Sequence, residues 1–235
     1  MRMPIVLVLL IVCLALPDVA AAIVKACPQQ PDIVVEAVDP AAPSLVCRTA
    51  DRAIAYLSGF DLRLQRPIHI LVVDNPLSSG GFDIYGRFDS RTDTIELMSD
   101  RAIAALATPT MYDEPFDAVH YRGAIAHEVV HAVMQHNLET KLISPAPQEY
   151  LAHAVQLALM PAVRRAHIVA AMDVGPWEAG DAISDIYMAM QPGRFAVKSY
   201  LHLSGLEHPE AFVHILLNAN WFYINVPELR VVEYE

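Results

Sequence analysis

The segment "AIAHEVVHAVMQH", Ala124 to His136, is apolar on nearly every side yet carries histidines and a glutamate. Its period reads as one helix in which Ala124, Ile125, Val129, Val130 and Val133 leave no wide solvated face. Such a helix must be central, covered on more than one side, and the rest of the chain has to supply the covers. Its polar residues then need compensation, because a buried His-Glu-His cluster without partners is costly. Residues four apart lie about 40° apart around a helix axis, so His127 and His131 project from one face and can grip one ion. Glu128 sits about 60° from His131, close to that ion without being forced to bind it. Two neutral imidazoles with an oxygen donor favour one zinc ion, which brings the pKa of a bound water toward neutrality, with Glu128 placed to take its proton.

The covers can be read on either side. "IVVEAV" (Ile33–Val38) and "RPIHILVVD" (Arg66–Asp74) are β-branched runs bounded by prolines and turns, and read as strands. Between them, Ser44 caps a helix running to about Ser58 and ended by Gly59. "FDIYGRF" and "DTIELMS" flank "DSRT" as a hairpin, Phe82–Phe88 with Thr92–Met98, after a loop "LSSGG". From Asp100 onward the pattern turns helical: Phe116–His136 stopped by Asn137, Gln148–Val169 broken or kinked at Pro161, then Ala182–Met190, Arg194–Leu203 and Pro209–Leu217. Strands first and helices later imply an α+β fold: a small N-terminal mixed β-sheet with a hairpin edge, then a mainly helical half carrying the motif helix.

A third ligand comes from "PQEYLAHAVQL". Glu149 follows His131 with 17 residues between, room for a helix end, a loop and a returning helix. His153, one turn later on the same face, is either a partner of the ligands or a substitute ligand. His136 is poorly placed to join His131, and His120 lies two turns before His127.

His127-Glu128-x-x-His131 followed by Gln148-Glu149-Tyr150-Leu151-Ala152 resembles the gluzincin metallopeptidases, with a spacing close to the aminopeptidase branch. The resemblance is strong over Ala124–His153 and weaker over about Arg66–Leu217. It implies a zincin-like fold, with His127, His131 and Glu149 as zinc ligands and Glu128 as general base. It further implies an edge strand, for which "TIELM" (Thr94–Met98) is the candidate, where an extended peptide adds to the sheet. A tyrosine or histidine that polarises the oxyanion belongs to the pattern, and Tyr187, Tyr200 and His202 are the candidates. The chain departs from the family in having no G-x-M-E-N segment, the element that holds a substrate's free amine, and in placing His153 where gluzincins often carry an aspartate.

The N-terminus bears on where this chemistry would act. Arg2, an apolar run Ile5–Leu16 and "PDVAAA" read as a secretory signal over residues 1–22, leaving a single domain over 23–235. Export removes Cys13 and leaves Cys27 and Cys47, which pair as one disulfide in an oxidising compartment. No later apolar stretch is long enough to span a bilayer, so no stable membrane insertion is expected after cleavage. Net charge is −11 with 16 Lys+Arg spread thinly, which excludes a nucleic-acid surface. The expectation is a secreted or periplasmic zinc peptidase acting on peptide or protein substrates. The alternative is a catalytically silent, zinc-containing periplasmic binding or structural module.

Overall fold

The β-branched runs pair into one sheet, and the apolar helix lies against it. The computed structural model describes residues 21–138, 143–219 and 223–227. In chain order the first half contains β1 (Ile23–Ala26), β2 (Ile33–Ala37), α1 (Ala42–Leu57), β3 (Ile68–Val73), β4 (Leu77–Ser79), β5 (Phe82–Ile84), β6 (Gly86–Asp89), β7 (Thr94–Met98) and α2 (Asp100–Ala104). A short hairpin follows, β8 (Thr110–Met111) and β9 (Glu114–Pro115), and then the helices α3 (Ala118–His136), α4 (Pro145–Leu159) and α5 (Ala162–Met172). The chain ends with β10 (Ala182–Ser184), α6 (Asp185–Met190), α7 (Pro192–Gly205), α8 (Pro209–Leu217) and β11 (Tyr223–Asn225). The class is α+β: a mixed sheet in the N-terminal half and a helical half behind it. Among the described residues no helix is long and apolar enough to cross a membrane.

The sheet runs β1-β2-β3-β7-β6. Its centre is parallel (β2 with β3, β3 with β7) and both edges are antiparallel. Alternation decides which face is buried: Ile33, Val35, Ile68, Ile70, Ile95 and Leu97 all point into the core. α1 makes the crossover between β2 and β3. α3 then packs against α1, α4, β6 and β7, which explains its apolar residues on every side. Its Val129, Val130, Val133 and Ile125 are fully covered, each burial being worth roughly 1.5–3 kcal/mol.

The start of α3 is fixed by Asp117. Its Oδ1 accepts from the amides of Val119 and His120 at 2.8 and 3.1 Å, while His120 Nδ1 accepts from the Asp117 amide. This is a capping box in which histidine takes the usual glutamate's place. At the other end the Asn137 amide group donates to Val133 O and Arg63 O. α4 starts on Pro145, with the Ala146 amide donating to Asp185 Oδ1 at 2.7 Å. Pro161 does break the next helix: Met160 is extended before it, and α5 begins afresh at Ala162.

Several boundaries differ from those read off the sequence. α1 begins at Ala42 with Pro43 in its first turn, so Ser44 lies inside the helix, and the chain reverses at Asp61 (φ 60°) after a 3₁₀ turn. The Phe82–Phe88 segment divides at Tyr85. β5 folds back on β4 around Gly80-Gly81, both at positive φ, and only β6 pairs with β7. "LSSGG" is thus half strand. Ala182–Ser184 is strand rather than helix, because Ile183 is buried opposite Ile224 of β11, about forty residues on. Trp177 is buried in the core, whereas Trp221, Phe222 and residues 1–20 of the signal segment expected over 1–22 lie outside the described residues.

Cys27 and Cys47 form the disulfide, tying the chain after β1 to α1. Closing a loop with a sequence separation of 20 restricts the unfolded chain. Replacing both cysteines by serine is therefore expected to lower unfolding free energy by about 3 kcal/mol. Urea midpoints of the two proteins check this, and equal midpoints would show that the bond carries no stability. Removing the α3 cap as Asp117→Ala should cost about 1–2 kcal/mol. Burial opposes the Asp117 charge, but the His120 and Val119 amides and Arg164 together hold its carboxyl below the ordinary value. Its contribution is thus complete above the unfolded pKa and is lost as pH falls through the lower folded one. Urea midpoints between pH 6 and 3 should decline less steeply for Asp117→Asn than for the parent.

Candidate metal centre

α3 and α4 cross so that three side chains meet. His127 and His131, one turn apart, bring their Nε2 atoms to 3.0 Å. Glu149, in the second turn of α4, places Oε2 3.2 Å from His127 Nε2 and Oε1 3.3 Å from His131 Nε2. One donor atom from each of the three lies within 4.8 Å of the others, a set unique among the described residues. An ion bound tetrahedrally at 2.0–2.1 Å holds its ligand atoms about 3.3 Å apart. The separations here match that edge, so the residues fit zinc.

His127 Nδ1 faces Gln156 Oε1 at 3.0 Å, a bond in which the ring nitrogen must donate, so neutral His127 turns its lone pair inward. Burial opposes charging His127, yet the Glu149 carboxylate lifts its pKa to about 9. Burial likewise opposes the Glu149 charge, and the two imidazoles overcome it, holding the carboxyl well below the usual range. Both displacements have one cause, a carboxylate held against two imidazoles.

Glu128 stands beside this set under different conditions. It is 7% exposed, and burial pushes its carboxyl above the ordinary value even though His127 and His131 pull the other way. The edge strand β6 crosses directly over it. A Cβ built on Gly86 would lie 2.7 Å from Glu128 Cγ, so only glycine lets the strand approach so closely. His127, Glu128, His131 and Glu149 all line one cleft of about 830 Å³, with Gly86, Arg87 and Phe88 along its rim. The edge strand is therefore β6; "TIELM" is the internal neighbour β7.

His153 lies in the cleft but outside the three-residue set. Its Nε2 is 3.5 Å from Glu149 Oε2, its Nδ1 faces Tyr112 Oη at 3.1 Å, and burial followed by the neighbouring His127 pushes its pKa down to about 3. His136 points away, pairing Nε2 with Asp93 Oδ1 and accepting at Nδ1 from the Gln65 amide. His120 serves the helix cap. None of the three oxyanion candidates lines the cleft: Tyr187 meets Trp177 edge to face, Tyr200 lies under Arg165, and His202 bonds to Tyr150. Asp185 caps α4 and Asp181 pairs with Lys198, so neither orients a ligand histidine. Gln156, Tyr112 and Gly86 were not evident beforehand. Gln156 could have been: it follows Glu149 by two helical turns on the same face.

A family model matches residues 33–226, from the start of β2 to just past β11. The chain belongs to DUF6639, a family of unknown function. No curated protein and no solved structure matches it. Membership of DUF6639 carries no activity with it, so any functional reading of this member rests on the residues above.

Equilibrating the protein with zinc and then passing it through a desalting column should leave one ion per chain. His127→Ala, His131→Ala and Glu149→Ala should each fall well below that stoichiometry, and His136→Gln should not. Retention of a full equivalent by Glu149→Ala would remove Glu149 from the ligand set.

Proposed function

We propose that this protein is an exported zinc-dependent peptidase, with His127, His131 and Glu149 holding the metal and Glu128 acting as general base. The observation that carries the reading is Glu128: a buried carboxylate beside the ligand set, in an open cleft and under β6, an edge strand of the sheet among the described residues. A purely structural zinc site has no use for an acid in that position. Export is supported by the N-terminal pattern and by the disulfide.

Bound zinc would supply Lewis acidity toward water and a substrate carbonyl. The chain's own residues do the rest. β6 offers unpaired backbone groups to an extended peptide, which adds as a further strand and brings its scissile carbonyl over the cleft. The Glu128 carboxylate takes a proton from the water whose oxygen attacks the carbonyl carbon. It then gives that proton to the departing amine as the C–N bond breaks. Its raised pKa suits both tasks, since a base whose pKa lies nearer the working pH can also return the proton. Gln156 holds the His127 ring in the tautomer that faces the ion.

One observation favours a second reading, a zinc-containing but catalytically silent module: Tyr187, Tyr200 and His202 are all missing from the cleft lining. Glu128→Gln separates the two. On the peptidase reading it retains one zinc and loses hydrolysis of a quenched peptide library by about 10²–10⁴-fold. A parent protein that cleaves nothing with zinc bound supports the silent module, and a variant as active as the parent removes Glu128 from the mechanism.

A further inference from the structure

The structure assigns a binding site for a small oxyanion to a cavity where α1, α3 and α4 meet, with Arg52 and Arg122 as its anchors. The site is separate from the metal cleft and does not rest on the metal reading.

α4 stops at Leu159, and Pro161 cannot continue it. A cavity of about 230 Å³ lies at this break, lined among others by Arg52 of α1, Arg122 and Gly123 of α3, Gln156 and Leu159 of α4, and Pro161. It is smaller than the roughly 300–1,000 Å³ of sites that take drug-sized ligands, so its occupant is small. Gln156 lines both this cavity and the metal cleft, and so forms a wall between them. Its amide is engaged on the cleft side, Oε1 with His127 and Nε2 with the Met111 sulfur. Recognition in the cavity therefore falls to the two arginines.

Their charges are not matched. Several other arginines meet carboxylates: Arg66 meets Asp93, Arg91 meets Asp89, Arg101 meets Asp74 and Arg164 meets Glu114. Arg122, by contrast, is half-buried and makes no hydrogen bond or ion pair among the described residues. Arg52 donates from Nη2 to Leu159 O at 3.1 Å. That bond fixes the guanidinium at the cavity, yet a carbonyl has no net charge to cancel it, and the remaining N–H groups stay available. No acidic residue lines the cavity. In a chain with 27 Asp+Glu against 16 Lys+Arg, two guanidiniums facing one concave space without a carboxylate are a local reversal of charge. Concave walls of low dielectric focus such a field, and the guanidinium fork matches the oxygens of a carboxylate, phosphate or sulfate.

The test follows the Gly123 amide in ¹H–¹⁵N spectra while chloride is replaced by sulfate or by acetate at constant ionic strength. Sulfate probes for a tetrahedral oxyanion and acetate for a carboxylate. At least one should shift the signal saturably, and the tighter of the two identifies the class. Arg52→Gln and Arg122→Gln should each weaken that binding about tenfold or more. Arg122→Gln removes no internal bond, so it should melt with the parent and decides the question even if Arg52→Gln fails to fold. Shifts that saturate with neither anion, or parental affinity in a folded variant of either arginine, overturn the site. Zinc plays no part in the readout, so this result and the metal reading stand or fall separately.

Discussion

Two imidazole nitrogens 3.0 Å apart, each about 3.2–3.3 Å from one carboxylate, make a demanding arrangement to hold between packed helices. It demands that α3 and α4 cross at one place, that both helices be rigid there, and that charge balance. Much of the remaining structure meets the first two demands. The sheet and α1 press α3 from two directions, Asp117 and Asn137 set its ends, and Pro145 with Asp185 sets the start of α4. Balance is met by Glu149, whose carboxylate lies against both imidazoles.

The parts of this arrangement that were legible in the sequence are those confined to a single element. The spacing of His127 and His131, the near-continuous apolar face of α3 and the break at Pro161 all follow from local geometry. Glu149 needed a resemblance as well as a spacing, because His153 on the same face was an equal candidate by helical position. The structure brings Glu149 to both histidines and turns His153 toward Tyr112.

What escaped the sequence depends on partners distant along the chain. β10 is strand only because β11 lies beside it, and β5 leaves the expected hairpin to pair with β4. The same reasoning covers Tyr112, which meets His153 across 41 positions, and Gly86, whose need for a missing side chain is visible only once Glu128 lies beneath it. Tyr187, Tyr200 and His202 show the converse: aromatic and imidazole groups at suggestive distances that turn out to be packing.

β6 has a second side to its exposure. An edge strand is a template on which another copy of the chain can pair. Here the strand is four residues long, and Arg87 and Asp89 on it are paired with Glu96 and Arg91. Shortness and charge make it a poor template for a long sheet. The four residues of β6 thus act as a ruler for any strand that pairs with this edge, whatever its source.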